Sequence, residues 1–229
     1  MNRPLIGIYY YVWYSKEGRH WNDEVSNAVI DHPTLAHYDS SDEDIIQRHI
    51  EWIESCELDF IAISWWGRKS YEDIVARKVI KTLSEKSSLR FCLVLERNSF
   101  FDNEHLKSFF NQPNYVRVDG KPLVVTYETS PDNDLNCYFV RYMQNNAWIR
   151  HLLAGYDDTH LGRRRSWQLP RLNGETYRLF WRETKLLIPR MAFVVSFNEW
   201  HERSAIEPSG EWGDFYLALT KTGVKSLSR

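Results

Sequence analysis

Apolar strand-like runs alternate with amphipathic helical patterns from one end of the chain to the other. That alternation restricts the fold more than any other feature. The runs are "PLIGIYYYVWY" (4–14), "DFIAISWWG" (59–67), "RFCLVLE" (90–96), "KPLVVTYE" (121–128, entered through the turn "VDGK"), "HLLAGYDD" (151–158) and "MAFVVSFNEW" (191–200). Between them, Ile46, Ile50 and Ile53 fall on one helical face, as do Val75, Val79 and Leu83, and Tyr177, Phe180, Trp181, Thr184 and Ile188. Further helices are expected near 134–146 and over 212–227. Strand–helix alternation of this kind specifies an α/β protein with a parallel sheet or a (β/α) barrel. Runs this continuously apolar require both faces of each strand to be covered. A length of 229 residues suits a single domain spanning 1–229.

Composition narrows the function classes. The net charge of −2 gives no general attraction to nucleic acid or to an anionic membrane, and no apolar run approaches transmembrane length. Cys56, Cys92 and Cys137 are odd in number and widely spaced, so they read as reduced thiols rather than a disulfide or zinc framework. The N-terminal run is too aromatic for an export signal and lacks a small-residue cleavage site, which places the expected location in the cytoplasm. "DSSDED" has part of a calcium-loop pattern without its glycine or terminal glutamate. It reads instead as a helix start capped by Ser40 or Ser41. "GRRRS" (162–166) reads as a solvated loop. "HE" at 201–202 is not HExxH, and Asp157, Asp158 and His160 lack a further ligand set, so neither metal nor other cofactor is expected. Ten Trp and thirteen Tyr are more than packing requires, and aromatic faces are what sugar rings stack on.

The polar and aromatic groups concentrate at strand C-termini. They are Tyr10, Tyr11, Trp13 and Tyr14; Ser64, Trp65 and Trp66; Glu96; Tyr127 and Glu128; Tyr156, Asp157 and Asp158; and Asn198, Glu199, Trp200, His201 and Glu202. Barrel enzymes carry their sites on that face, and six strand ends converging in this way are not explained by helix caps. Two carboxylates three residues apart among aromatics suit glycosidic cleavage. One protonates the leaving oxygen while the other acts as base or nucleophile.

These residues also resemble a known family. "SFNEWHERSAIEP" is similar to the S-F-N-E-W-H-E-G-T-x-I-E-P of glycoside hydrolase family 99, the endo-α-mannosidases and endo-α-mannanases. "GYDDTHLGRRRSWQLPRLNGETY", "IGIYYYVWY" with "HWND", "YDSSDEDIIQRHI", "ISWWG" and "FYLALT" resemble further motifs of that family, in the same order. The resemblance implies a metal-independent, retaining enzyme on a (β/α)8 TIM-type barrel acting on an oligosaccharide or polysaccharide. It implies Glu199 as base on the sugar 2-hydroxyl and Glu202 as general acid/base. It places Tyr10, Tyr11, Trp13, His20, Trp21, Trp65, Trp66, Glu96, Tyr127, Tyr156, Asp157, Arg171, Tyr177, Asn198 and Trp200 around the substrate. Departures are also present: Arg203, Ser204 and Ala205 replace Gly-Thr-x, "ERN" (96–98) replaces E-P-Y, and only six strands are clear where the family has eight. Either two weakly signalled strands close the barrel, or it is reduced and partly open. The alternative function is a non-hydrolytic carbohydrate-binding or polysaccharide-assembly protein on the same fold. Sugar identity, linkage and oligomeric state are not legible.

Overall fold

The computed structural model describes residues 3–21, 31–96, 103–127 and 135–227. Strand β1 (Leu5–Tyr10) leads through α1 (Glu43–Ser55) to β2 (Phe60–Trp65), and α2 (Tyr71–Lys86) leads to β3 (Arg90–Leu95). Helix α3 (Asn103–Phe110) and the short β4 (Arg117–Val118) precede β5 (Lys121–Thr126). Then come β6 (Tyr138–Arg141), β7 (Ile149–Leu153) and a two-stranded ribbon of β8 (Tyr156–Asp157) and β9 (Gln168–Leu169). Helix α4 (Glu175–Leu187), β10 (Met191–Val195) and α5 (Phe215–Leu227) complete the order.

The elements form where local chemistry directs. Helix α1 buries Ile46, His49, Ile50 and Ile53, and places Glu43 and Asp44 on its positive N-terminal end. Its cap is Asp42, whose carboxylate accepts the Asp44 N–H, rather than Ser40 or Ser41. Helix α2 is capped by Ser70 and buries Val75, Val79 and Leu83. Helices α4 and α5 meet where a Cβ on Gly223 would stand 2.2 Å from the Trp181 ring, so only glycine admits this approach. Ile188, expected on the buried face of α4, ends the helix in a left-handed conformation and is exposed. Among the described residues no helix is long and apolar enough to cross a membrane.

Seven strands run parallel in the order β6-β5-β3-β2-β1-β10-β7, with β4 antiparallel on β5. The sheet curls: Tyr142, just past β6, packs edge-on against Tyr9 of β1 at 4.9 Å and against His151 of β7 at 6.3 Å. Among the described residues β6 and β7 do not pair, and seven parallel strands form a reduced TIM-type barrel open at one seam. One expectation is corrected: strand β6 lies within 134–146, where a helix was expected. It adds a seventh parallel strand to the six that are clear in the sequence, in a barrel that is reduced and partly open. Strand β6 has four residues, only one of them buried, and therefore no apolar run to announce it.

Seven residues, 142–148, carry the chain from β6 to β7, too few for a crossover helix. They close the seam with polar contacts. Asn145 Oδ1 accepts the His151 N–H at 2.7 Å, and Gln144 O lies 3.0 Å from His151 Nδ1. Burial holds the His151 imidazole neutral, pushing its pKa down to about 4. Nδ1–H therefore donates to Gln144 O, and Nε2 accepts from Tyr9 Oη at 2.8 Å. Phe193 and Phe60 pack beneath, and Gly7 has no side chain because a Cβ there would meet the Phe60 ring at 2.2 Å. This is the barrel floor; the cleft lies above it.

Candidate functional site

Strand β10 ends in the loop 196–207, which is stapled to itself. Ser196 Oγ accepts the Glu199 N–H at 2.8 Å, Ser204 N donates to Glu199 O, and Ile206 N donates to Ser196 O. Asn198 exchanges two 2.8 Å bonds with the backbone of Tyr11, so the ends of β1 and β10 are fixed to each other. The Asp157 N–H donates to Glu202 O at 2.8 Å, which anchors the loop to β8. Local folding thus presents Glu199 and Glu202 as a rigid pair.

Glu199 is 4% exposed, and its Oε1 faces both the backbone N–H and the ring Nδ1 of His201, each at 3.0 Å. His201 Nε2 faces His20 O at 3.2 Å, so both ring nitrogens face oxygen and the imidazole is held in one orientation against Glu199. Glu202, three residues on in the same loop, is paired with Arg163. Burial, aided by the charge of Glu199, pushes its carboxyl up to about 7, while Arg163 pulls the other way. Glu96, at the end of β3, is a third acid. Burial pushes it up to about 8; the Ser64 hydroxyl, bonded at 2.7 Å, opposes the shift, and the charges of Glu199 and Glu202 add to it. Trp66 Nε1 donates to the same Ser64 oxygen at 3.2 Å.

Aromatic rings wall this trio of acids. Trp13 packs at 4.6 Å from Tyr11, 4.7 Å from His20, 6.0 Å from His201 and 6.1 Å from the half-exposed Trp66. Tyr127 and Tyr142 lie 4.3 Å apart, and Tyr142 Oη reaches Tyr11 Oη at 3.4 Å. Tyr156 stacks on Trp167 at 4.3 Å with the rings nearly parallel.

The sequence-expected residues therefore divide. Glu199, Glu202, Glu96, Tyr11, Trp13, His20, Trp66, Tyr127 and Tyr156 share the cleft. Tyr10 and Trp65 do not: successive side chains of a strand point to opposite faces, and both leave the sheet towards the helices. Tyr10 Oη meets His49 Nδ1 at 2.9 Å, and Trp65 Nε1 donates to Asp73 at 3.0 Å. Tyr177 is buried between α4 and α5 on Thr220. Trp21 lies under Tyr14 at 4.1 Å, and Asn198 is wholly buried in its strand-end bonds. Trp200, Arg171 and Asp157 line an adjoining hollow of about 290 Å³. There Arg171 donates to Arg203 O and Ala205 O, and Asp157 accepts from Arg203 at 2.7 Å. The Arg203 guanidinium thus pairs with Asp157 and not with either acid of the pair. Glu128, Arg97 and Asn98 lie outside the described residues.

Two cleft residues escaped the sequence reading. Tyr142 lies in the stretch taken for a helix. Arg163 belongs to "GRRRS", taken for a solvated loop, yet its Nη1 bonds Glu202 Oε1 and lies 3.3 Å from Tyr156 Oη and 3.4 Å from Asp158 Oδ2. The buried Asp158 accepts the Trp167 N–H at 2.8 Å, and Ser166 closes the turn, so the arginine loop is folded onto the cleft mouth. A basic run with "DD" before it and "SW" after it was the available signal.

No protein-family model matches the chain, and no curated protein does. Solved structures do. The GH99 endo-alpha-mannosidase from Bacteroides thetaiotaomicron matches with a TM-score of 0.79 at 18% identity, over 97% of this chain and 97% of that one. Its complex with Bis-Tris-propane gives 0.80 at 19%, over 99% and 98%. A glycoside hydrolase-like protein gives 0.73 at 14%, over 100% and 95%. The fold is related to these, across nearly the whole chain.

Proposed function

We propose that the chain is a retaining glycoside hydrolase cleaving an α-mannoside or related glycan without a metal ion. The observation that carries this is the pair Glu199 and Glu202 in an aromatic-walled cleft, with Glu202 pushed up to about 7. A carboxyl with that pKa is part-protonated at neutral pH, as a general acid requires. The endo-alpha-mannosidases of related fold support the choice of substrate class.

The reaction runs as follows. Glu199, oriented by its two contacts to His201, takes the proton of the sugar 2-hydroxyl. That oxygen attacks the anomeric carbon, the glycosidic bond breaks, and Glu202 protonates the departing oxygen. The resulting 1,2-anhydro sugar is opened by a water whose proton goes to Glu202, and the 2-oxygen recovers its proton from Glu199. Trp13 and Trp66 offer apolar faces to the sugar, and the charges that develop stay in a cleft of low dielectric.

The test is a glycan panel with product mass analysis on wild type and Glu202→Gln. Wild type should release a shortened glycan, and the variant should lose roughly 10²–10⁴ in rate. On a glycosyl fluoride, whose leaving group needs no proton, Glu202→Gln should retain much of the first step while Glu199→Gln stays nearly inactive. A 2-deoxy substrate should bind and not turn over; its efficient cleavage overturns the role of Glu199. Glycan binding with no turnover across the panel favours a carbohydrate-binding protein.

A further inference from the structure

Arg163 has no part in the chemistry above, yet it occupies the acid that chemistry needs. Glu202 is faced by Glu199 from the end of β10, Glu96 from β3, Tyr127 from β5, Tyr142 from the seam, and Tyr156 and Arg163 from the β8 side. Arg163 is the one cation among them. Its side chain is 49% exposed while that of Glu202 is 13% exposed, so the guanidinium reaches inward from the rim. Its anchors are the Tyr156 hydroxyl and Asp158, a contact of 3.4 Å. Arg164 and Arg165 follow it at the exposed mouth.

We propose that Arg163 is a specificity residue for an oxyanion group (phosphate, sulfate or carboxylate) on the leaving-side sugar, and that the oxyanion draws Arg163 off Glu202 and thereby lets Glu202 take up the proton it donates in catalysis. The inference rests on the assignment of Glu202 as general acid, because that acid marks the leaving-group side of the cleft. A guanidinium fork matches two oxygens of such a group, and its bonds to an anion are charge-assisted. Arg163 limits the fraction of Glu202 that carries a proton, since the adjacent cation stabilises the carboxylate. An oxyanion that takes the guanidinium leaves Glu202 beside two further acids, where the neutral form is favoured. One proton moves from solvent to Glu202, and no other reactant is needed. A neutral glycan leaves the ion pair in place.

The test compares a neutral methyl α-mannobioside with counterparts carrying a glucuronosyl carboxylate or a phosphate on the leaving-side sugar. Affinity is measured calorimetrically at pH 7 in two buffers of different ionisation enthalpy. Wild type should bind both anionic probes about tenfold or more tighter than the neutral one. With the carboxylate probe, which does not itself titrate near pH 7, it should take up a fraction of a proton. Arg163→Gln should lose both the preference and the uptake. Glu202→Gln, which keeps the shape of the site, should keep a preference and lose the uptake, so the idea stays testable if Arg163→Gln fails to fold. Equal affinities in wild type, a preference that survives Arg163→Gln, or wild-type binding without proton uptake overturns the inference. Cleavage of neutral glycans alongside equal affinities overturns it alone. Failure of every probe to bind overturns the hydrolase reading with it.

Discussion

Two glutamates, the part-buried Glu202 and the buried Glu207, stand five residues apart in one loop and live in opposite environments. Glu207, 2% exposed, is surrounded by partners: Tyr38 Oη and Trp200 Nε1 donate to Oε2 at 2.9 and 3.0 Å, and His49 Nε2 meets Oε1 at 3.1 Å. Tyr10 closes that network from the outer face of β1. Glu202, on the cleft side, shares its space with Glu199 and Glu96 and has one half-exposed arginine as counterion. A structural acid is given donors; an acid meant to carry a proton is set among other acids.

The largest break in this contrast should come from the cleft side. Glu199→Gln should abolish glycan turnover, a loss on the order of 10²–10⁴ or more, with the melting temperature nearly unchanged. A comparable loss of stability would show that the cleft acids hold the fold as well. Behind the sheet the pattern should invert. Glu207→Gln removes the charge and one acceptor oxygen from a buried network in which Tyr38 and Trp200 donate, costing about 1–3 kcal/mol and lowering the melting temperature by roughly 2–10 °C. Thermal unfolding should register that drop, and turnover below the transition should change far less than in Glu199→Gln.

Glu96 sharpens the comparison through pH. Its folded pKa of about 8 lies above the ordinary glutamate value of about 4.3. The folded state therefore holds a proton that the unfolded chain has lost. Its contribution to stability is fully present below about 4.3 and is lost as pH rises through about 8. Glu96→Gln removes this titration. The melting temperature of the variant minus that of wild type should grow between pH 5 and pH 8.5, by roughly 2–6 °C. A difference that is flat or shrinks with pH would mean that Glu96 is not held protonated. The smallest expected effect is none. Dialysis against a chelator should leave turnover unchanged, and loss restored by a divalent ion would refute metal-independent chemistry.

How far the sequence disclosed this contrast depended on whether a signal was local. Strands β1, β2, β3, β5, β7 and β10 announce themselves as apolar runs because helices cover their outer faces, and Glu199 and Glu202 stand out by following such a run. Strand β6 does not, since "YFVR" is short, half-covered and set beside apolar residues in helical phase. The pairs Tyr10/Tyr11 and Trp65/Trp66 are adjacent residues at a strand end. Strand alternation allows only one of each pair to face the cleft, and the polar partner that chooses between them lies in another element. Tyr10 is committed by His49, 39 positions away, and Trp65 by Asp73 in the next helix. Arg163 was hidden for the same reason: its acid is 39 positions downstream, and three arginines in a row look alike until one of them has a partner.

The unpaired edges of β6 and β7 have a topological consequence. A sheet closed into a ring must make its number of strands, their tilt and the stagger of its last register agree, so deleting one strand disturbs all the others. A strip with two free ends has no such closing condition. The acids ride on β3 and on the loop after β10, both inside the strip, and 142–148 spans the missing position with turns and side-chain amides. The strand register that sets the three carboxylates is therefore free of a closing condition on the circumference, and length can be added or removed past Asn145, beyond the residues that touch the cleft and His151, without retuning it.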